Sequence, residues 1–262
     1  MKQIFTDEEL HVGKILTLDE KTAHHLFHVT RTTPKERIRI ISRNGRVYHG
    51  HVQEHPYVYV SEETDQANDT PPELTLCAAL IKADKFEWML QKAAELGVTR
   101  IVPFTSANTI IALEPKKIDK KLARWASILE GACRQSNRTN LVTIEKPVRL
   151  QDLGHFKSEL NLCAWEKENV SQHLCCSLDK LDHSATFVIG PEGGLTAGEA
   201  DFLEQEGFIL CSLGNRILRA ETAACYMLAC ADYAWHANHG SCQADQKPEG
   251  SEIKETESES AD

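Results

Sequence analysis

Buried strands and helices alternate along most of this chain, and this alternation constrains its fold more than any other feature. The strands are predicted from short apolar runs at 74–81, 99–104, 160–165, 186–189 and 208–213. Helical patterns separate or follow these runs, and Asp84 and Gly97 mark the start and the stop of the first helix. Strands that alternate with helices predict an α/β domain with a parallel sheet and helices on its faces.

Two of these strands lead into glycine-containing loops. The first loop, in VIGPEGGLT (188–196), precedes a helix with a predicted capping box of Thr196 and Glu199. The second follows Gly214 and precedes a helix that starts near Glu221. Neither loop has the spacing of a phosphate-binding motif. Because ligands of α/β sheets bind at the carboxyl ends of strands, the pair suits an adenosine held by backbone amides and apolar contacts. The alternative is that the first loop is only a tight connection.

A different pattern precedes residue 73. Two strands, Arg37 to Ser42 and Val47 to Val52, flank a predicted type I′ turn at Asn44-Gly45, and PYVYV (56–60) adds a third strand. We therefore expect residues 1–72 to form a small, barrel-like β domain with a polar linker. Residues 73–240 then form the α/β domain. The acidic tail, 241–262, has few apolar residues and is expected to be disordered.

The charge distribution favours local contacts with phosphates despite the formal net charge of −10. Lys21 to Arg46 contains seven lysines or arginines and one acidic residue, and Lys116 to Arg138 contains seven and two. Local patches of positive charge attract phosphates whatever the total charge. Ordinary solvated faces are the alternative interpretation of either patch.

Other features bear on location and metals. The chain has no apolar run of membrane-spanning length and no signal peptide, which predicts a cytoplasmic protein. The nine cysteines lack C-x-x-C spacing, so buried reduced thiols are expected rather than a disulfide framework or a zinc site. His24 and His28, at helical spacing, have no acidic or cysteine partner by spacing, and no metal is predicted.

Several motifs together resemble one protein family. IGPEGGLTAGE followed by SLGNRILRAETAA closely resembles the signature of bacterial RsmE-type rRNA uridine-N3 methyltransferases of the SPOUT class. KADKFEWMLQKAAELGVTRIVPFTSANT (82–109) and EGACRQSNR (130–138) are similar to two further blocks of that family, and residues 24–50 to its RNA-binding domain. The chain departs from the family near its start, where only Lys2 stands in place of an expected arginine.

The resemblance implies a SPOUT-type sheet with a deep trefoil knot, preceded by a PUA-like β-barrel. It also implies S-adenosylmethionine as the cofactor and no metal. The third wall of the pocket is expected near Thr105, at the end of a strand. The implied cofactor-binding residues are Thr105, Ile189, Gly190, Gly193, Leu213, Gly214, Ile217, Leu218 and Ala220.

The resemblance further implies an acceptor uridine in small-subunit rRNA. Arginines suit a uracil because their fork donates to carbonyl oxygens and stabilises developing negative charge. The catalytic candidates are Arg134, Arg219, Glu192 and Glu221, the two glutamates as candidate bases. The RNA-binding candidates are Arg31, Arg37, Arg39, Arg43 and Arg138.

A homodimer with pockets at the subunit interface is expected, with the apolar face of the last helix, Ala223 to Trp235, as the interface element. Two other functions stay open at this point. The same fold and cofactor also serve transfer to a ribose 2′-oxygen or to tRNA, because a fold does not fix the acceptor. A non-catalytic RNA-binding factor in ribosome assembly is an alternative of another class.

Overall fold

The computed structural model describes residues 2–64, 71–111, 114–167 and 172–239. The predicted acidic tail and part of the predicted linker lie outside the described residues. Within these ranges, none of the helices is both long enough and apolar enough to cross a membrane.

The first part of the chain forms a five-stranded sheet. Its strands are β1 (Lys2–Phe5), β2 (Ile15–Thr17), β3 (Arg37–Ile41), β4 (Val47–Val52) and β5 (Tyr57–Thr64), in the order β1-β3-β4-β5-β2. β1 runs parallel to β3, and the other pairs are antiparallel. The three strands that the sequence predicts are confirmed, and β1 and β2 are additional edge strands.

The turn between β3 and β4 differs from the predicted type I′ turn. Asn44 does not have the positive φ that such a turn requires, whereas Gly45 has a φ of +78°. The Gly45 amide donates to the Ser42 carbonyl at 2.9 Å, and the Ser42 amide donates to the Arg46 carbonyl at 3.0 Å. This pattern is typical of a type I turn followed by a left-handed glycine, which also joins hairpin strands.

One short helical segment covers this sheet. Helix α1 (Glu20–Ala23) begins at Asp19, whose side chain accepts a hydrogen bond from the Thr22 amide at 3.0 Å. The chain continues without a break into a π-helical turn, His24–Val29. Leu26 from this turn is buried against Ile38 and Ile40 of β3 in the core of the first sheet.

The second part of the chain confirms the predicted α/β fold. Every strand pair in its seven-stranded sheet is parallel, and the order is β12-β10-β11-β6-β7-β8, with β9 also paired to β7. The strands are β6 (Glu73–Ala79), β7 (Arg100–Thr105), β8 (Thr143–Ile144), β9 (Val148–Arg149), β10 (Leu160–Ala164), β11 (Ser184–Ile189) and β12 (Ile209–Cys211).

Helices pack on both faces of this sheet. They are α2 (Ala83–Glu95), α3 (Ile118–Gln135), α4 (Cys175–Leu178), α5 (Ala197–Gln205) and α6 (Ala220–His239). α2, α3 and α6 bury their apolar sides in one core, whereas α5 and a 3₁₀ segment, Leu150–Phe156, bury theirs in a second core. The predicted capping box of α5 is present, since Thr196 and Glu199 bond each other's backbone amides at 2.9 and 3.2 Å.

The apolar face of α6 is not a free surface, which corrects its predicted role as the subunit interface. Ala223, Met227, Ala231 and Trp235 are all buried in the core that α6 shares with α2 and the sheet. The fourfold spacing of these residues therefore marks the face that packs inside the chain. Tyr233, also on α6, is exposed and therefore lies outside this buried face.

A polar junction joins the two sheets. The side-chain amide of Gln3, in β1, donates a hydrogen bond from Nε2 to the Arg138 carbonyl at 2.7 Å. Its Oε1 atom accepts one from the Arg39 guanidinium at 2.6 Å. Arg39 also donates to the Asn137 carbonyl. The Arg138 guanidinium turns inward and donates to the carbonyls of Ala94 and Val98 at 2.8 and 2.6 Å. Arg138 therefore fastens the turn after α3 to the end of α2.

We expect Arg138→Ala to destabilise the fold. The substitution removes the Arg138 donor to the Val98 carbonyl and one of several donors to the Ala94 carbonyl, and a buried acceptor that loses its partner costs about 1–3 kcal/mol. Urea unfolding followed by circular dichroism measures the change. Arg43→Ala is the matched control, because Arg43 is exposed in the β3–β4 turn and its loss is expected to change stability by less than about 0.5 kcal/mol. Equal stability of the two variants would contradict this structural role.

Candidate active site

A pocket opens at the carboxyl edge of the parallel sheet, where the two glycine loops meet. β10 lies between β12 and β11 in the strand order, so the segments that follow these three strands surround one space. The pocket has a volume of about 510 Å³. This size and this position at the strand ends are typical of a small-molecule site in an α/β fold.

The structure brings most of the predicted cofactor-binding residues to this pocket. Those that line it are Ile189, Gly190, Gly193, Leu213, Gly214, Ile217, Leu218 and Ala220. Thr105 is the exception, since it is absent from the pocket wall and its hydroxyl donates to the Val148 carbonyl at 3.5 Å. The expected third wall near Thr105 is therefore misplaced.

The third wall comes instead from the end of β10. Ala164, Trp165 and Glu166 line the pocket, and the Trp165 amide donates to the Cys211 carbonyl of β12 at 3.0 Å. The indole Nε1 of Trp165 is buried without a hydrogen-bond partner in the described structure. The sequence predicted the strand 160–165 but not its place between the two loop-bearing strands, so this wall was missed.

The segment after β7 contacts the first glycine loop and the start of α5 through hydrogen bonds. The side-chain amide of Asn108 donates hydrogen bonds to the backbone carbonyls of Gly193 and Gly194 at 3.1 and 3.0 Å. A side chain at Gly193 would lie 3.1 Å from the Asn108 Cβ atom. The Ala107 amide donates to Glu199, the capping residue of α5, at 2.7 Å. The loop is thus a supported element of the wall rather than only a connection between β11 and α5.

The second loop leaves open space beside its glycine. Gly214 has a φ of +104°, and its amide donates to the Ser212 hydroxyl oxygen at 3.1 Å. Among the described residues, a Cβ atom added there would have only the His173 Nε2 atom within 4 Å, at 3.8 Å. The backbone at Gly214 is therefore directly accessible to a bound molecule. Ile217, a little further along this loop, is 88% exposed at the pocket rim.

A second cavity adjoins the first. It has a volume of about 360 Å³ and is lined by Asp84, Lys85, Trp88, Arg219, Glu221 and Thr222. Arg219 also lines the first pocket, so the two cavities share this side chain. The Glu192 carboxylate of the first loop accepts a hydrogen bond from the Lys82 backbone amide at 3.4 Å, at the start of α2, so this loop and α2 are in contact.

Glu221 is the predicted catalytic residue with the most unusual surroundings. It is 9% exposed, and its Oε2 atom is buried without a hydrogen-bond partner in the described structure. Its Oε1 atom lies 3.9 Å from the Lys85 ammonium, which is an ion pair but too long for a hydrogen bond. A buried carboxylate oxygen without a partner is costly and is a ready acceptor for a ligand donor.

Arg134 lies elsewhere and lines neither cavity. It forms an ion pair with Glu130 on the same helix, and Lys21 of α1 approaches Glu130 at 3.0 Å. Burial, and next the charge of Arg134, lower the pKa of His25 in this region. The predicted catalytic position of Arg134 is corrected to the junction between α1 and α3, because its partner Glu130 holds it there.

The comparisons with known proteins agree with this geometry. Residues 68–232 match the family described as RNA methyltransferase domain. The ribosomal RNA small subunit methyltransferase E of Bacillus subtilis is 30% identical over 87% of this chain and 93% of its own length. That of Aquifex aeolicus is also 30% identical, over 84% of this chain and 94% of its own length.

The chain belongs to the ribosomal RNA small subunit methyltransferase E family.

A solved structure of this family has the same architecture. The enzyme of that name from Neisseria gonorrhoeae, solved bound to S-adenosyl methionine, superposes with a TM-score of 0.78 and 28% identity. The match covers 90% of this chain and 98% of the other. The architecture described above is therefore that of the family.

In this family member, the predicted RNA-binding arginines lie on or near the first sheet. Arg31, Arg37 and Arg43 are exposed. Arg37 forms an ion pair with Glu62 of β5 and a hydrogen bond with His49 at 2.8 Å. Arg46, another basic residue of the Lys21–Arg46 segment, forms an ion pair with Glu63 of β5 at 3.0 Å. Part of the positive charge of that segment is therefore balanced by glutamates of β5.

The remaining two predicted RNA-binding arginines have structural partners. Arg39 is half-buried at the junction with Asn137, and burial lowers the pKa of its guanidinium. Arg138 is turned toward the Ala94 and Val98 carbonyls, as described above. Lys2 likewise donates to the Thr30 carbonyl at 2.9 Å and pairs with Glu36 at 2.8 Å. These side chains hold the domain together.

No group of three or more histidine, cysteine, aspartate or glutamate side chains suited to a metal ion occurs in the part of the chain that the structure describes.

We expect Gly194→Ala to destabilise the first loop, whereas Gly198→Ala, four residues later, stabilises the protein. Gly194 has a φ of +68°, and left-handed backbone costs a residue with a Cβ atom about 1–2 kcal/mol. Gly198 lies in α5 with nothing within 4 Å of an added Cβ, so alanine there gains up to about 1 kcal/mol of helix propensity. Urea midpoints that shift in the same direction for both variants would contradict this view of the loop.

Proposed function

We propose that this protein transfers the methyl group of S-adenosylmethionine to N3 of a uridine in small-subunit ribosomal RNA. The observation that carries the proposal is the pocket between the two glycine loops, which shares Arg219 with a second cavity beside it. Relatives in the family are named as small-subunit rRNA methyltransferases, and one was solved bound to S-adenosyl methionine.

The residues present fit this cofactor. The open backbone at Gly214 and the apolar side chains of Leu213, Ile217 and Leu218 suit an adenine ring, and the Glu166 carboxylate suits hydroxyl or ammonium groups. The bound cofactor supplies a methyl group on a cationic sulfur, and the N3–methyl bond forms as the sulfur–methyl bond breaks. The tasks of the chain are to place the acceptor and to manage the N3 proton.

Arg219 and Glu221 are the side chains that we assign to the acceptor. The exposed Arg219 guanidinium borders both cavities and suits the negative charge that develops on a uracil losing its N3 proton. Glu221 has a buried carboxylate oxygen without a partner in the described structure, and it suits the role of proton acceptor. Glu192 is near the Lys82 amide, and we propose that it supports the first loop.

The rest of the assignment follows the same reasoning. We propose that residues 1–72 are a PUA-like RNA-binding domain, in which the exposed Arg31, Arg37 and Arg43 contact phosphates. Residues 73–240 are the methyltransferase domain, and β10 to β12 form its trefoil knot. The highly exposed Ile217 at the pocket rim supports a homodimer that covers it, and the protein acts in the cytoplasm.

We expect the purified protein to methylate small ribosomal subunits that lack this modification, with the product on N3 of one uridine. Nucleoside mass spectrometry of the rRNA identifies the product, and N3 methylation stops reverse transcriptase because it blocks the pairing edge. A label that resists alkaline cleavage at the adjacent phosphate would instead identify a ribose 2′-O-methyl group. No incorporation into rRNA, despite binding of the cofactor, would favour a tRNA acceptor or a non-catalytic assembly factor.

Arg37→Ala together with Arg43→Ala provides the binding arm of this test. Loss of two phosphate contacts is expected to weaken RNA binding. The slope of the logarithm of RNA affinity against the logarithm of salt concentration should become less steep by about 2, with cofactor affinity unchanged. Filter binding at several salt concentrations measures the slope. Unchanged slope and affinity would remove these arginines from the RNA surface.

We expect Gly214→Ala to lower S-adenosylmethionine affinity at least about tenfold, because a methyl group there occupies space beside the backbone that the adenosine approaches. Gly207→Ala is the matched control. Gly207 has a similar positive φ, +90° against +104°, but lies after α5 and does not line the pocket. Calorimetry that finds the two variants equal in affinity would remove the cofactor from this loop.

A further inference from the structure

The second cavity has the side chains of a base-binding site. One side of it is the indole of Trp88, which is 45% exposed although Trp88 lies on α2 beside well-buried neighbours such as Met89. An exposed indole on the wall of a cavity is costly to leave in water and is a stacking surface for a planar ring. Proteins that bind unstacked nucleotides use aromatic faces in this way.

The polar side of the cavity contains both hydrogen-bond donors and acceptors. The Lys85 ammonium and the Arg219 guanidinium only donate, whereas the buried Glu221 carboxylate only accepts. Lys85 and Glu221 are 3.9 Å apart, so neither satisfies the other with a hydrogen bond. A ligand in the cavity thus meets the Lys85 and Arg219 donors and the buried Glu221 acceptor, and the exposed Asp84 carboxylate and Thr222 hydroxyl complete the polar lining.

The Watson–Crick edge of uracil complements three of these groups, the donors of Lys85 and Arg219 and the acceptor of Glu221. It presents the N3–H donor between the O2 and O4 acceptors. Cytosine presents an acceptor at N3, which would face the Glu221 carboxylate without a proton between them. A site whose buried polar groups match one edge rejects a ring that leaves them unpaired.

We propose that the second cavity holds the acceptor uracil, stacked on Trp88, with its imide edge bonded by Lys85, Glu221 and Arg219. This inference rests on the proposed function, and it adds Trp88 as the stacking platform and Lys85 as a positioning residue. Glu221 takes the N3 proton, and N3 keeps the electron pair with which it bonds the methyl carbon. Lys85 donates a hydrogen bond to a carbonyl oxygen of the uracil, and its ammonium lies 3.9 Å from the Glu221 carboxylate.

The position of the cavity agrees with this assignment. Arg219 borders both cavities, and the Glu192–Lys82 contact joins the first glycine loop to the start of α2, two residues before Asp84. A base in the second cavity is therefore adjacent to a cofactor between the glycine loops. The uridine has to leave the RNA stack to enter, which is how enzymes reach an atom on a base edge.

The test uses the full-length protein and small ribosomal subunits that lack the modification. We expect Trp88→Ala to lower kcat/KM for the subunits about tenfold or more, the scale of one lost base–aromatic stack, with unchanged affinity for S-adenosylmethionine. Trp88→Phe retains a stacking face and is expected to stay within about threefold of the wild type. Tyr233→Ala is the control, since Tyr233 is an exposed aromatic residue on α6 outside both cavities.

Two outcomes would overturn the assignment of Trp88. In the first, Trp88→Ala behaves like Tyr233→Ala. In the second, its defect is matched by lost cofactor affinity or by a change in molecular mass in light scattering, which would make Trp88 a fold or interface residue. Failure of the proposed function is distinguishable, because the wild type would then form no N3-methyluridine in the same assay. Both outcomes above require a wild type that does form it.

The polar edge has its own test. Glu221→Gln is expected to lower kcat at least about 100-fold at neutral pH, with a deficit that narrows as pH rises because hydroxide then removes the N3 proton. Lys85→Met is expected to lower kcat less and to leave KM for S-adenosylmethionine unchanged, with Lys85→Arg restoring much of the activity because it keeps the positive charge. A Glu221→Gln deficit that is constant across pH, or Lys85→Arg as impaired as Lys85→Met, would overturn the roles given to these residues.

Discussion

The insertion of β10 between β11 and β12 is the constraint on which the rest of this structure depends. All three strands run parallel, so their carboxyl ends reach the same edge of the sheet. The two glycine loops then face each other across the end of β10, and Trp165 closes the space between them. Had β12 paired directly with β11, the loops would be neighbours without room for a third wall.

The elements and loops near the pocket were predictable because their signals are local. The capping box of Thr196 and Glu199, the stop at Gly207 and the glycines of both loops are each read from a few consecutive residues. The resemblance then identified, within these loops, residues that line the pocket. Among the other local signals, the Asn44-Gly45 pair predicts the wrong type of turn between β3 and β4, because Asn44 tolerates a positive φ but does not adopt one here.

What the sequence did not predict depends on contacts between distant residues. The position of Thr105 at the end of a strand predicts a pocket wall, but its strand, β7, is separated from β11 by β6. Arg134 and Arg138 lie in a basic segment, yet the partners that fix their roles are Glu130 and two carbonyls at the end of α2. Spacing identifies an arginine but not the acceptor that it meets. For the same reason, the sequence does not indicate that Trp88 and Lys85, in an ordinary amphipathic helix, line a cavity with Arg219 and Glu221.

The sharing of Arg219 between the two cavities has a thermodynamic consequence. A guanidinium has one conformation at a time, so a molecule in either cavity changes the energy of the side chain that borders the other. By linkage, the free energy with which one ligand alters the affinity for its neighbour is equal in both directions. The two cavities are therefore coupled through one rotamer, and the order in which they fill has no effect on the stability of the complete complex.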